Sequence, residues 1–177
     1  MERGSHAIKV SLRLDSLIYA ALQKEALAQG RDIGDYMQRV FTRHAIDNKL
    51  VDEASGQDYE LRESLVDRAV EFAQMIKRAE GITRDITNKA VIACMTDEQW
   101  LANYAVYVRD DPFRHKNPRK AINKEIGLRI RRAIGAKVAR SSDGKPIKTP
   151  VSDSIIQSFT EMEPCEQVKF GEKGHIK

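Results

Sequence analysis

Long apolar runs are missing from this sequence. The longest extend for only a few residues, far short of the ~20 that cross a bilayer, and the N-terminus lacks the apolar core of a signal peptide. The expectation is therefore a cytoplasmic protein with no membrane partner. Cysteine is nearly missing too. Cys94 and Cys165 are the only two, with no CxxC pair and no histidine at ligand spacing, so neither a disulfide framework nor a zinc site is indicated and both read as reduced thiols. Catalytic signatures are also lacking: no P-loop, no GxSxG, no HExxH and no two carboxylates in a helical register that would focus them on one site. His115, in "FRHKNP", is the best-placed proton carrier, but Arg114 and Lys116 beside it suit contact with phosphate or solvent better. His44 reads as a packing or surface residue. The expectation is a non-enzyme without cofactor or metal. A small metal-dependent nuclease using Asp97, Asp110 and Asp111 is the remaining enzymatic alternative.

What is present is charge, and it is segregated. The 177 residues are 41% hydrophobic and 32% charged, a soluble globular profile with room for one domain or two small ones. The overall charge of +4 hides large local differences. Residues 51–100 carry six basic and eleven acidic groups, whereas 101–150 carry thirteen and four, a local net of +9. An excess of this size can supply phosphate contacts to a nucleic acid. It is equally what a solvated, lysine-rich face would show.

Near the start, "HAIKVSLRLDS" alternates: Ile8, Val10, Leu12 and Leu14 fall on one side of an extended strand, and Lys9, Ser11 and Arg13 on the other. A strand this short cannot bury a face alone and needs a partner. Asp15 or Ser16 then caps a helix carrying Leu17, Ile18, Ala21, Leu22 and Leu27, which Gly30 ends. Asp32 caps a second helix with Ile33, Tyr36, Met37, Val40, Phe41 and Ala45 at spacings of three and four. The order strand, helix, turn, helix over residues 7–48, with "IKVSLRLD" and "AQGRDIGDYM", resembles the ribbon-helix-helix DNA-binding family. That resemblance implies that two chains pair their strands, with Ile8, Val10, Leu12 and Leu14 as the dimer core. The ribbon would enter the major groove with Lys9, Ser11 and Arg13 reading bases. It also implies a DNA phosphate at the start of the second helix, on Arg31, Asp32, Ile33 and Gly34. The family favours Ser or Thr there; Asp32 and Asp35 would repel a phosphate, leaving Arg31 as the compensating cation. The structural alternative is an edge strand whose charges guard it from aggregation.

Residues 49–58, polar and containing Gly56, read as a linker. Residues 59–80 read as an amphipathic helix with Leu61, Leu65, Val66, Ala69, Phe72, Ala73 and Ile76 on one face, for core packing or for an oligomerising seam. Within 82–163 a short helix over "TRDITNKAVIACM" precedes one that Thr96 and Gln99 start as a capping box. Another follows from Pro118, capped by Asn117, with Ile122, Ile126, Ile130 and Ile134 four apart. "AKVARSSDGKPIKTP" then sets two strand-like pieces around Asp143-Gly144, a hairpin signal. Three helices followed by a basic hairpin resemble a winged helix-turn-helix. This implies a second DNA surface from Arg114, Lys116, Arg119, Lys120, Lys124, Arg131 and Arg132, joined by Lys137, Arg140, Lys145 and Lys148 of the hairpin. The alternative is a helical oligomerisation domain with a basic surface. Residues 164–177 read as a tail. The expected fold is mainly α, a ribbon-helix-helix module followed by a helical domain with a small β-hairpin. The expected function is site-specific binding of double-stranded DNA as a homodimer or higher oligomer, as a prokaryotic or phage transcriptional regulator. The alternative is an adaptor that marks a DNA site for replication, partition or packaging and gathers a protein partner through its helical domain.

Overall fold

The structure, a computed structural model, describes residues 10–109 and 118–165. Aspartates start most of its helices. Asp15 accepts from the Leu17 amide at 2.8 Å to open α1 (Ser16–Ala28), and Asp32 from Asp35 at 2.9 Å to open α2 (Ile33–Asp47). Asp52 accepts from Ser55 at 2.9 Å to open α3 (Glu53–Glu80). Each cap satisfies one of the amides that a helix start leaves unpaired. Gly30 ends α1 in a left-handed conformation (φ +63°), with its amide on Leu27 O and that of Arg31 on Ala26 O, the two-bond pattern that closes a helix on glycine.

The 28-residue α3 is the central post. It packs against α4 (Ile86–Thr96), α5 (Glu98–Val108) and α6 (Pro118–Ile134). Leu65, Val66, Ala69 and Ala73 of α3 are fully buried against Ile86, Ala90 and Val91 of α4 and the stripe Ile122, Ile126, Ile130 and Ile134 of α6. Spacings of three and four put each set on one helix face, so the four helices close round an aliphatic centre. Trp100 stacks on Tyr104 with ring centroids 5.1 Å apart and donates Nε1–H to Leu65 O at 2.9 Å. After α6, β1 (Ala136–Val138) pairs antiparallel with β4 (Met162–Pro164), and β2 (Lys148–Pro150) with β3 (Ser158–Thr160). Ala139, Ile147 and Glu161 exchange backbone hydrogen bonds in a ring of three, at 2.9 to 3.0 Å.

The ribbon-helix-helix reading is overturned. Described residues 10–15 contain no strand, and α1 and α2 follow as two continuous helices. Val10, Leu12 and Leu14 are exposed, Val10 to 73%, so they form no core within the chain; Ile8 and Lys9 lie outside the described residues. The physical reason is that alternation fixes where side chains would point in a paired strand without supplying the pair. After α6 the strand pairing is more extensive than a single hairpin. The Asp143-Gly144 turn forms, and its arms are joined by the bridge Arg140 to Pro146 and by backbone hydrogen bonds from Ser141 N to Lys145 O at 2.9 Å and from Ile147 N to Ala139 O at 3.0 Å. The regular strands find partners in 158–164, and α6 is packed on α3 and tied by Asn123 to Ile155 O at 3.0 Å.

Two boundaries also move. The helix expected from Tyr59 starts at Glu53, because Asp52 caps it and the polar stretch that follows continues as helix through Gly56, which packs beside Ile46. Asp97, not Thr96, caps α5, accepting from Trp100 N at 3.1 Å, while the Thr96 hydroxyl donates back to Ala93 O.

Candidate nucleic-acid interface

Cations can meet a polyanion only if the protein has not already neutralised them. One group has been. Arg31, between α1 and α2, is buried and pairs through Nη2 with Glu63 Oε2 at 3.0 Å and with Asp67. Arg39 reaches Asp67 at 2.7 Å, and Arg129 reaches Asp35 at 3.2 Å and Glu63 at 3.6 Å. Arg132 pairs with Asp32 and Asp35. Within this cluster the two aspartates share a site. Burial, the Asp32 carboxyl and its charge raise the Asp35 pKa. Burial also acts on Asp32, but hydrogen bonds from Asp35 and the Arg132 charge outweigh it and bring that group below the ordinary carboxylate value. The network joins α2 to α3 and α6. It uses up Arg31 and Asp32, two of the residues expected at a DNA phosphate, and Arg132 of the second expected surface. Ile33 and Gly34 form the first turn of α2 beside them.

A second group remains open. Among the described residues the side chains of Lys120, Lys124, Arg131 and Lys148 find no ion-pair or hydrogen-bond partner, and all four line a cavity of about 690 Å³ between α4, α6 and the segment 155–162. No Asp or Glu is among the described residues lining it. Deeper in the same wall lies Arg119, whose Nε, Nη1 and Nη2 are all buried without a hydrogen-bond partner. An unmatched buried guanidinium costs several kcal/mol, so this one stands out against the paired Arg31 and Arg129. Next to it, burial pushes the Tyr104 hydroxyl up to about 12, against the opposing effects of its 2.7 Å bond to Asn123 and of the Arg119 charge. Of the remaining expected cations, Lys137 is paired with Glu163 at 3.6 Å, Lys145 with Asp143 at 3.0 Å, and Arg140 donates to Gly144 O at 2.6 Å. Arg114 and Lys116 lie outside the described residues.

Neither Ser11 nor Arg13 is among the residues that line this cavity. Ser11 and Arg13 are exposed on the extended N-terminal segment, and Lys9 is outside the described residues. The sequence reading missed the burial of Arg119 and missed Thr87, whose buried Oγ1 also lines the cavity without a partner. For Arg119 a signal existed: it lies three residues before Ile122, on the stripe that faces inward. For Thr87 there was none.

Among the described residues no group of three or more His, Cys, Asp or Glu could hold a metal ion, and no helix is long and apolar enough to cross a membrane. Asp97 is engaged as a cap and by Arg68 at 3.1 Å, His44 lies 3.3 Å from Asn48 Nδ2, and Asp110, Asp111 and His115 lie outside the described residues. Comparison with known proteins finds no family model, no curated protein and no solved structure that matches the chain.

Proposed function

We propose that the protein binds double-stranded DNA through the face formed by α6 and Lys148 at the start of β2. The observation that carries this reading is the set of four unpartnered cations, Lys120, Lys124, Arg131 and Lys148, around a cleft with no carboxylate in its lining. Such charges can neutralise DNA phosphates and release the cations condensed on them, which gives an affinity that falls steeply with salt. The reading does not use a ribbon. Phosphate contacts of this kind position a protein on DNA, and site preference comes from whatever additional groups reach the bases.

The test is anisotropy of a labelled duplex with unphosphorylated ends at several salt concentrations. Each lost phosphate contact lowers the slope of log affinity against log salt by about 0.9. Lys120→Ala, Lys124→Ala and Lys148→Ala combined should therefore flatten it by up to about 2.7, while Lys145→Ala, already paired with Asp143, leaves it nearly unchanged. Equal slopes for all three proteins would end the reading.

A second observation favours assembly on the DNA, as a regulator acting in several copies or as an adaptor. Most of the exposed large apolar side chains fall within residues 10–41, including Leu17 at 80% and Ile18, Leu27 and Phe41. Apolar side chains exposed together along one part of a chain supply surface for association. Leu17→Asp with Ile18→Asp should lower the sedimentation coefficient to that of a monomer without changing helicity by circular dichroism. A wild-type protein already monomeric at every concentration would remove the assembly reading and leave DNA binding standing. Whether bound sites overlap promoters or form arrays would separate regulator from adaptor.

A further inference from the structure

The reading of α6 as a DNA-facing surface leaves unused the deepest polar groups of the cavity beneath it. Arg119 is 4% exposed and Thr87 is 6% exposed. Both line the cavity, and neither the three guanidinium nitrogens nor the threonine hydroxyl has a partner. Arginines buried elsewhere in the molecule are matched by carboxylates: Arg31 by Glu63 at 3.0 Å, and Arg129 by Asp35 at 3.2 Å. A planar fork of donors kept dry and unmatched has the geometry for an oxyanion with several oxygens. Thr87 adds a hydroxyl donor from the neighbouring helix. The first turn of α6, to which Arg119 belongs, adds the positive end of its dipole.

Charge narrows the ligand class. Lys120, Lys124, Arg131 and Lys148 stand round the same space with no acidic lining residue, so a single carboxylate would leave most of the positive charge unanswered, whereas a phosphomonoester brings close to two negative charges. Size narrows it further. About 690 Å³ lies within the range of small-ligand pockets, and Ile155 and Phe159 give it an apolar wall against which the rest of the ligand can rest. The phosphodiesters of an intact duplex lie on a broad convex surface and do not reach the floor of such a cavity. A phosphate at the end of a small molecule, or at the end of a strand, does.

We propose that Arg119 and Thr87 form a binding site for a terminal phosphate group, carried either by a mononucleotide-sized ligand or by the end of a nucleic-acid strand. The site stands on the unmatched buried donors and not on the duplex-binding reading. The test is calorimetric titration of the full chain at low salt with inorganic phosphate, adenosine 5′-monophosphate, adenosine, and one short duplex with and without a 5′-phosphate. Binding of phosphate and of the monophosphate but not of adenosine is the expected result, with Arg119→Met and Arg119→Lys each weakening it by at least about tenfold and Lys145→Ala leaving it unchanged. Arg119→Met, which removes an unmatched buried charge, should also melt higher than wild type in phosphate-free buffer, an outcome that a purely structural arginine would reverse. A duplex preference for the 5′-phosphate that Arg119→Lys abolishes identifies the strand end as the source; binding of the monophosphate alone identifies a small ligand. No saturable binding of phosphate, monophosphate or phosphorylated end overturns the proposal, as does undiminished binding in folded Arg119→Lys. The unphosphorylated duplex reports on the surface lysines separately, so either reading can fail without the other.

Discussion

Gly30 and Tyr104 are each constrained by their surroundings, the first sterically and the second electrostatically. A Cβ on Gly30 would stand 2.6 Å from the Cβ of Ala133 on α6, and the residue's φ of +63° is itself unfavourable for other residues. Gly30→Ala should therefore destabilise the protein by more than about 1 kcal/mol in urea unfolding, because the chain must move away from α6 as well as adopt a strained turn. For Tyr104 the constraint is electrostatic and depends on pH. Burial keeps its hydroxyl neutral to about 12, against 10.0 for an unhindered tyrosine. The folded pKa is the higher of the two, so the stability contributed by the neutral form is complete below pH 10 and is lost as pH rises towards 12. Tyr104→Phe has no proton to lose. Its melting temperature should be lower at neutral pH, through loss of the 2.7 Å bond to Asn123, but should fall less between pH 9 and 11.5 than that of the wild type. Parallel falls would show that other groups dominate the alkaline transition.

At the scale of elements, the molecule is held together in two unlike ways. Helices α3 to α6 share an aliphatic core, whereas α2 buries no residue and α1 buries only Ala26. The first two helices are fastened instead by the arginine and carboxylate network centred on Glu63. Breaking a buried ion network by removing one partner costs about 3–5 kcal/mol, so Glu63→Gln should raise the hydrogen-exchange rates of α2 far more than those of α4, with high salt acting in the same direction. Uniform loss of protection across all helices would mean instead that the network is part of the global core. These contrasts explain what could be read beforehand. Apolar stripes three and four apart, as in α3 and α6, and aspartates before them are local signals, and they place helices well. The alternation of residues 8–14 is local too, but a strand exists only with a partner, which the pattern does not contain. The polar 49–58 stretch read as a linker because composition outweighed Asp52, a single cap residue that recruits most of it into α3. Basic charge announced the candidate surface, but charge alone does not tell the spent Arg132 from the open Arg131 beside it. That difference arises from α2, which brings Asp32 and Asp35 to one side of α6.

Viewed as a whole, the chain divides its basic residues between internal fastening and an open face, and the open face is completed by strands distant in sequence from the helix that carries most of it. β1 pairs with β4 and β2 with β3, so one pair encloses the other. Closing the inner pair shortens the loop that the outer pair must close. The cavity draws its far wall from residues 155–160 and Met162. A chain truncated before Ile155 would therefore keep the cations of α6 and Lys148 while lacking the wall that turns them towards a common space.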